Sequence, residues 1–140
     1  MRVVVDASAF GAAFGNARGL AARVIAVGVA GQYQIIISEE ILNEVRRLPA
    51  KPHIATNRGF DLAAANRLIA SLRPTVVRGP LKTPSARVRD SEDEHVLAFA
   101  LTVGADIILS QDNDLLSLGN VDGIPVMGVQ LMAYTLGIRH

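Results

Sequence analysis

The 140-residue sequence predicts one α/β domain, with a mostly parallel sheet between layers of helix. Three observations carry that expectation. Short runs of β-branched residues alternate along the whole chain with segments of helical apolar spacing, the signature of βαβ crossovers. Half of the residues are apolar, enough for one sizeable core. Acidic residues recur just after the strand-like runs, where ligands of such folds bind.

In chain order, "RVVV" (Arg2 to Val5) reads as a strand, and "FGAAFGNARGL" (Phe10 to Leu20) as the loop after it. "ARGLAARVIAVGVAG" (Ala17 to Gly31) is helical, closed by Gly31. "QIII" (Gln34 to Ile37) is a second buried strand, and Ser38 is placed to cap the helix "EEILNEVRR". "PAKPHIATNRGF" predicts a short helix or helical turn, and "LAAANRLIASL" a longer helix. "TVV" (Thr75 to Val77) reads as a short strand, and "DEHVLAFALTVGA" as a helix ending near Gly104. "DIILS" and "IPVMG" are further strands, and "VQLMAYTLG" is the last helix. Neither a repeat nor a linker interrupts the series, so residues 1–140 read as a single domain.

Composition excludes several chemistries. The chain has no cysteine, hence no disulfide framework, thiolate nucleophile or Cys-based zinc site; a reducing cytoplasm fits. No apolar run is long enough to span a membrane. Asp6 interrupts what would be a signal peptide's apolar region, so no secretion signal is expected. The net charge of +1 hides an uneven distribution. "RPTVVRGPLKTPSARVR" is purely basic, and "DSEDE" after it is almost purely acidic. Lys82, Arg87 and Arg89 in the basic run are candidates for phosphate contact, against the plainer reading of a solvated loop.

The acids are the most informative residues. Asp6 directly follows the first strand, and Asp112 lies just past "DIILS". Glu44 is on the helix after "QIII", and Asp93 in the first turn of "DEHVLAFA", with Asp90 and Glu92 nearby. Each has a duller reading. Asp6 could form a turn or a helix cap, Asp112 an Asx turn, Asp114 a cap for "LLSL", and Asp90 a cap for its helix. Glu39 and Glu40 suit the positive end of a helix dipole. Glu44 lies beyond that turn, on the same face as Glu40, so spacing leaves both able to face a site. Carboxylates gathered at one sheet edge repel by several kcal/mol at an effective dielectric of about 20. A hard divalent cation relieves this, and ligation by oxygen alone favours Mg²⁺ or Mn²⁺ over Zn²⁺. His53, His95 and His140 show no mutual ligand spacing, so histidine chemistry is not expected.

Four segments together resemble the PIN-domain family, and within it the VapC-like toxins of toxin–antitoxin pairs. "VVVDASAF" is similar to the opening motif, matching Asp6 and Ser8. "ISEEILNEV" is similar to the second, matching Glu44 and leaving Glu39 and Glu40 as surface charge. "RDSEDEHVLAFAL" is similar to the third, matching Asp93, with Asp90 crowding it. "ADIILSQDNDLLSL" is similar to the fourth, matching Ser110 and Asp112. The resemblance covers nearly the whole chain and implies a PIN-like three-layer α/β/α sandwich. It implies a ribonuclease in which Asp6, Glu44, Asp93 and Asp112 hold Mg²⁺ or Mn²⁺, with Ser8, Ser110 and Asp90 behind them. It also implies RNA as substrate and an antitoxin as partner. An antitoxin helix would lie across an apolar groove, while "GLAARVIAVGVAG" and "VQLMAYTLG" could instead form a homodimer face.

Rival functions fit less well. Aspartyl phosphatases of the haloacid-dehalogenase type want a second Asp two residues after the first, where this chain has Ser8. Receiver domains want a Lys after the last core strand, and "IPVMGVQ" has none. No Gly-x-Gly-x-x-Gly follows the first strand, which argues against a dinucleotide site. A catalytically silent PIN-like binding module stays open as the alternative.

Overall fold

The centre of the molecule is a strand pair with no solvent on either face. In the computed structural model, which describes residues 1–86, 88 and 91–139, Val3, Val4, Val5, Ile108 and Leu109 are completely buried. Strands covered on both faces read as unbroken aliphatic runs, which explains "RVVV" and "DIIL". β1 (Arg2–Val5) pairs in parallel with β2 (Gln34–Ile36) on one side and β3 (Ile107–Leu109) on the other. β5 (Ile124–Met127) joins β3 in parallel, and β4 (Asn120–Val121) runs antiparallel to β5. Among the described residues the order is therefore β2-β1-β3-β5-β4.

The connections cross the sheet in opposite directions. α1 (Ala7–Gly15) and α2 (Leu20–Val29) link β1 to β2. α3 (Glu39–Arg47), a 3₁₀ turn (Leu48–Ala50), α4 (Pro52–Ala55), α5 (Leu62–Ser71) and α6 (Ser91–Val103) lead to β3. Right-handed crossovers in opposite directions put their helices on opposite faces, which yields the three layers. The reversal falls between β1 and β3 and opens a crevice beyond their carboxyl ends. α7 (Asn113–Leu116) follows β3, and α8 (Val129–Leu136) follows β5. The chain is thus an α/β sandwich with a mostly parallel sheet, as its sequence predicts.

Several elements differ from expectation. Of the expected loop over residues 10–20, residues 10–15 are helix and only 16–19 connect it to α2. α1 begins immediately after Asp6, and Ala9, Phe10, Ala13 and Phe14 bury one stripe of it. Burial of that stripe outweighs the helix-weakening effect of Gly11 and Gly15. "TVV" is not a strand. Pro74 has no N–H to donate, Val76 is exposed, and Thr75 N to Ile37 O, 2.8 Å, is the link recorded to the β2 side. β4 was not foreseen, although Asp122-Gly123 is a two-residue hairpin signal; their φ values of 49° and 94° suit a type I′ turn. The predicted short helix after Leu48 is two pieces, split at Lys51, with Pro52 opening α4.

α3 shows how local rules set an element. Ser38 Oγ accepts the Ile41 N–H at 3.0 Å, acids occupy the first turn and Arg46 and Arg47 the last. Ile41, Leu42 and Val45 bury the inner face. The segment before α6 is tethered by Lys82 N to Thr102 Oγ1, 2.8 Å, and by Ser85, whose hydroxyl and N–H both donate to Asp122. Those two bonds hold the Asp122 carboxyl below its ordinary pKa.

α2 contains a glycine that packing demands. A Cβ on Gly28 would stand 2.4 Å from Cζ and 2.7 Å from Cε2 of Tyr33. That ring is buried, and its hydroxyl donates to Val24 O at 2.8 Å; burial raises its pKa far above the ordinary tyrosine value. Gly28→Ala gains about 1 kcal/mol of helix propensity yet overpacks the ring, at a cost of about 1–3 kcal/mol. Chemical denaturation is expected to show net destabilisation, and in a Tyr33→Ala background the same substitution becomes neutral or stabilising.

Candidate functional site

Register brings the site together. Val5 lies opposite Leu109, so the residues that follow, Asp6 and Ser110, emerge side by side at the carboxyl end of the sheet. Asp6 N extends the ladder by donating to Leu109 O at 2.9 Å. Asp6 occupies the N-cap position of α1, but its side chain makes no capping bond. Instead its Oδ2 accepts from Ser8 Oγ at 2.6 Å and from Ser110 Oγ at 3.0 Å. Each hydroxyl is oriented from behind by a backbone donor: Gln111 N to Ser8 Oγ at 2.9 Å, and Asp112 N to Ser110 Oγ at 3.0 Å. Asp6 is 5% exposed and Ser110 fully buried, so the arrangement is part of the core's edge.

Asp112 realises its duller reading and a second one together. Its Oδ1 accepts the Asp114 N–H at 2.8 Å, capping α7, while its side chain also lines the crevice. Asp93 lies one turn before Val96 and Leu97 and shares their buried stripe, which turns it inward at 7% exposure. Glu44 lines the same crevice from α3, together with Leu48 one turn on. Glu40, on the same helix face, turns instead to His95, 2.9 Å from carboxylate to Nε2. Glu39 is exposed and 3.9 Å from Arg46, a pair of little energetic weight.

The crevice has a volume of 640 Å³, with Asp6, Ser8, Glu44, Asp93 and Asp112 in its lining. Carboxylate oxygens of Asp93, Asp112 and Asp114 all lie within 4.8 Å of one another. The sequence reading gives Asp114 only as a helix cap; its recurrence two residues after Asp112 is the signal for more. Asp6 and Glu44 line the crevice outside that tight trio. Two carboxylates about 4 Å apart repel by about 4 kcal/mol at an effective dielectric near 20. The donor set is all oxygen, of the hard type that suits Mg²⁺ or Mn²⁺, and its spacing allows one ion to be shared. The residues present therefore fit such an ion.

Other candidates fall elsewhere. Lys82 is anchored at Thr102, toward the end of α6 opposite Asp93 and about 13 Å along the helix. It is not among the crevice-lining residues. Arg87, Arg89 and Asp90 lie outside the described residues. Gln111 was not predicted: its Oε1 accepts the Val129 N–H at 2.7 Å, tying the start of α8 to the crevice.

Residues 2–114 match the protein-family model described as PIN domain. No curated protein and no solved structure gives a match.

The Ser110 hydroxyl both donates to Asp6 and accepts from Asp112 N. Ser110→Ala is expected to cost about 1–3 kcal/mol, because it strips a buried carboxylate of a donor and orphans a backbone N–H. A denaturation midpoint equal to wild type would show that water replaces the hydroxyl at no cost.

Proposed function

The chain belongs to the PIN-domain family, and on that premise we propose that it is a metal-dependent ribonuclease, the toxin of a toxin–antitoxin pair. The observation that carries the reading is the convergence of Asp93, Asp112 and Asp114 within 4.8 Å, the first two of them lining the crevice that Asp6 and Glu44 also line. In this reading Asp6, Glu44, Asp93 and Asp112 hold Mg²⁺ or Mn²⁺, and Asp114 adds a further oxygen. Ser8 and Ser110 fix the Asp6 carboxylate. The ion would supply water activation and charge relief at the phosphate. The carboxylates set where it sits and accept the proton given up by the attacking water. A new O–P bond forms as the bond to the departing ribose oxygen breaks, and that oxygen is protonated.

The partner readings have their own support. An apolar groove of 270 Å³ between α1, α2 and α5, lined by Phe14, Ile25, Val29 and Leu68 among others, suits an amphipathic antitoxin helix. Leu131 and Tyr134 stand 52% and 83% exposed on one side of α8, a face suited to a homodimer. Among the described residues no helix is long and apolar enough to cross a membrane. In this reading the activity is cytoplasmic.

Purified, partner-free protein is expected to cleave a mixed structured RNA in Mg²⁺ or Mn²⁺ and to stop on chelation. Asp6→Asn and Asp93→Asn should each lower kcat on the order of 100-fold or more. Intact RNA with undiminished RNA binding would turn the conclusion to the silent binding module. Independently of turnover, Mn²⁺ at about 100 times its Kd should stabilise wild type by about 2.7 kcal/mol, several degrees in Tm. Asp93→Asn should lose most of that shift.

A further inference from the structure

The crevice has two chemically different walls. Asp6 and Asp112 stand at the strand ends and Asp93 on α6, while the segment from Leu48 to Asn57, which continues from the helix that carries Glu44, adds Lys51 and His53 to the lining. Among the described residues that line the crevice, Lys51 is the one permanent cation. It is half-buried, and its ammonium forms no ion pair or hydrogen bond with any described residue.

The backbone beneath that side chain is fixed on both sides. Lys51 N donates to Leu48 O at 3.0 Å, and its carbonyl accepts from Ile54 N at 3.0 Å and Ala55 N at 2.9 Å. Pro52 follows and locks the start of α4. Asn57 Nδ2 donates to His53 O at 3.0 Å, closing the turn. The far end of the wall is tied to α1 by a bridge between Asn16 and Gly59 and by Ala17 N to Gly59 O, 2.9 Å. α1 packs against the same segment: a Cβ on Gly11 would make ordinary van der Waals contact with Ile54 Cδ1 at 3.6 Å and Leu48 Cδ2 at 3.9 Å. Lys51 is therefore held on a stiff segment, inside an acid-lined crevice, while pairing with none of the acids. A cation so placed is available to an anion that enters the crevice.

We propose that Lys51 is a positioning residue that grips a phosphate of the RNA strand next to the one being cleaved. The proposal rests on the ribonuclease reading and deepens it. A strand drawn to ions held by the acids would carry negative charge past the opposite wall, and Lys51 compensates it there as a point charge. Its work is to hold the strand, so its loss should appear in KM and in salt dependence rather than in the chemical step.

The test compares wild type, Lys51→Met and Lys51→Arg on an oligoribonucleotide that wild type cleaves, across a series of salt concentrations. Lys51→Met is expected to raise KM about tenfold with kcat within about twofold, and to flatten the log–log salt slope by about 0.7. Lys51→Arg should restore most of both, and the Mn²⁺-induced rise in Tm should be the same in all three. Unchanged KM and slope in Lys51→Met overturn the proposal while leaving the ribonuclease reading standing. Loss of the Mn²⁺ shift in Lys51→Met overturns it too, because Lys51 would then be supporting the acids. Should wild type bind RNA without cleaving it, the nuclease reading fails and the same comparison is read in Kd. If wild type neither binds nor cleaves RNA, both fail together.

Discussion

Mutual repulsion among carboxylates is the constraint on which this structure turns. A folded chain left to itself would spread such groups apart or pair them with cations. Here the β1–β3 pairing sets Asp6 beside Ser110, and so beside the loop that carries Asp112. The buried stripe of α6 forbids spreading, since Asp93 can swing outward only if Val96 and Leu97 leave the core. The acids are thus held together by hydrophobic burial elsewhere, about 25 cal/mol for each Å² of apolar surface removed from water.

How Asp6 is held matters as much as where. Its described partners are the hydroxyls of Ser8 and Ser110, which donate without neutralising. An arginine in their place would fix the carboxylate equally well, but would cancel its charge. Neutral donors keep the orientation and leave the charge available. The backbone N–H groups of Gln111 and Asp112 then orient the hydroxyls, so the loop after β3 positions one acid while supplying another. That double use explains why the loop needs no long insertion: residues 110–114 both brace Asp6 and place two further carboxylates beside Asp93.

Much of this was legible in the sequence, and the rest was hidden for definite reasons. Unbroken aliphatic runs marked the buried strands, and acids following them marked the crevice. Glu44 and Glu40 could not be separated by spacing, because they share a helix face. The difference is a long-range one, the presence of His95 beside Glu40. Ser8 and Ser110 are about a hundred residues apart, and no local pattern shows that they meet on one oxygen. α1 was obscured by its glycines, and its helical state depends on Phe10 and Phe14 packing together, with ring centroids 6.4 Å apart. Asp114 was read as a cap because Asx chemistry and metal ligation ask for the same residue type at the same place. Lys51 carried no signal at all, since a lysine before a proline is ordinary until the fold sets it opposite four acids.

The two walls of the crevice also differ in how they can respond to a ligand. The acid wall is built on β1, β3 and α6, whose inner residues have almost no exposure, so its geometry is set before anything binds. The facing wall is a short 3₁₀ turn and a single helical turn, lightly buried, with stiffness that comes from backbone bonds and the tie at Gly59. Metal ligation tolerates little displacement, whereas a point charge that steadies a polyanion tolerates more. In the proposed reading each chemistry would stand on the kind of scaffold it requires, with the demanding one on the sheet and the permissive one on the turn.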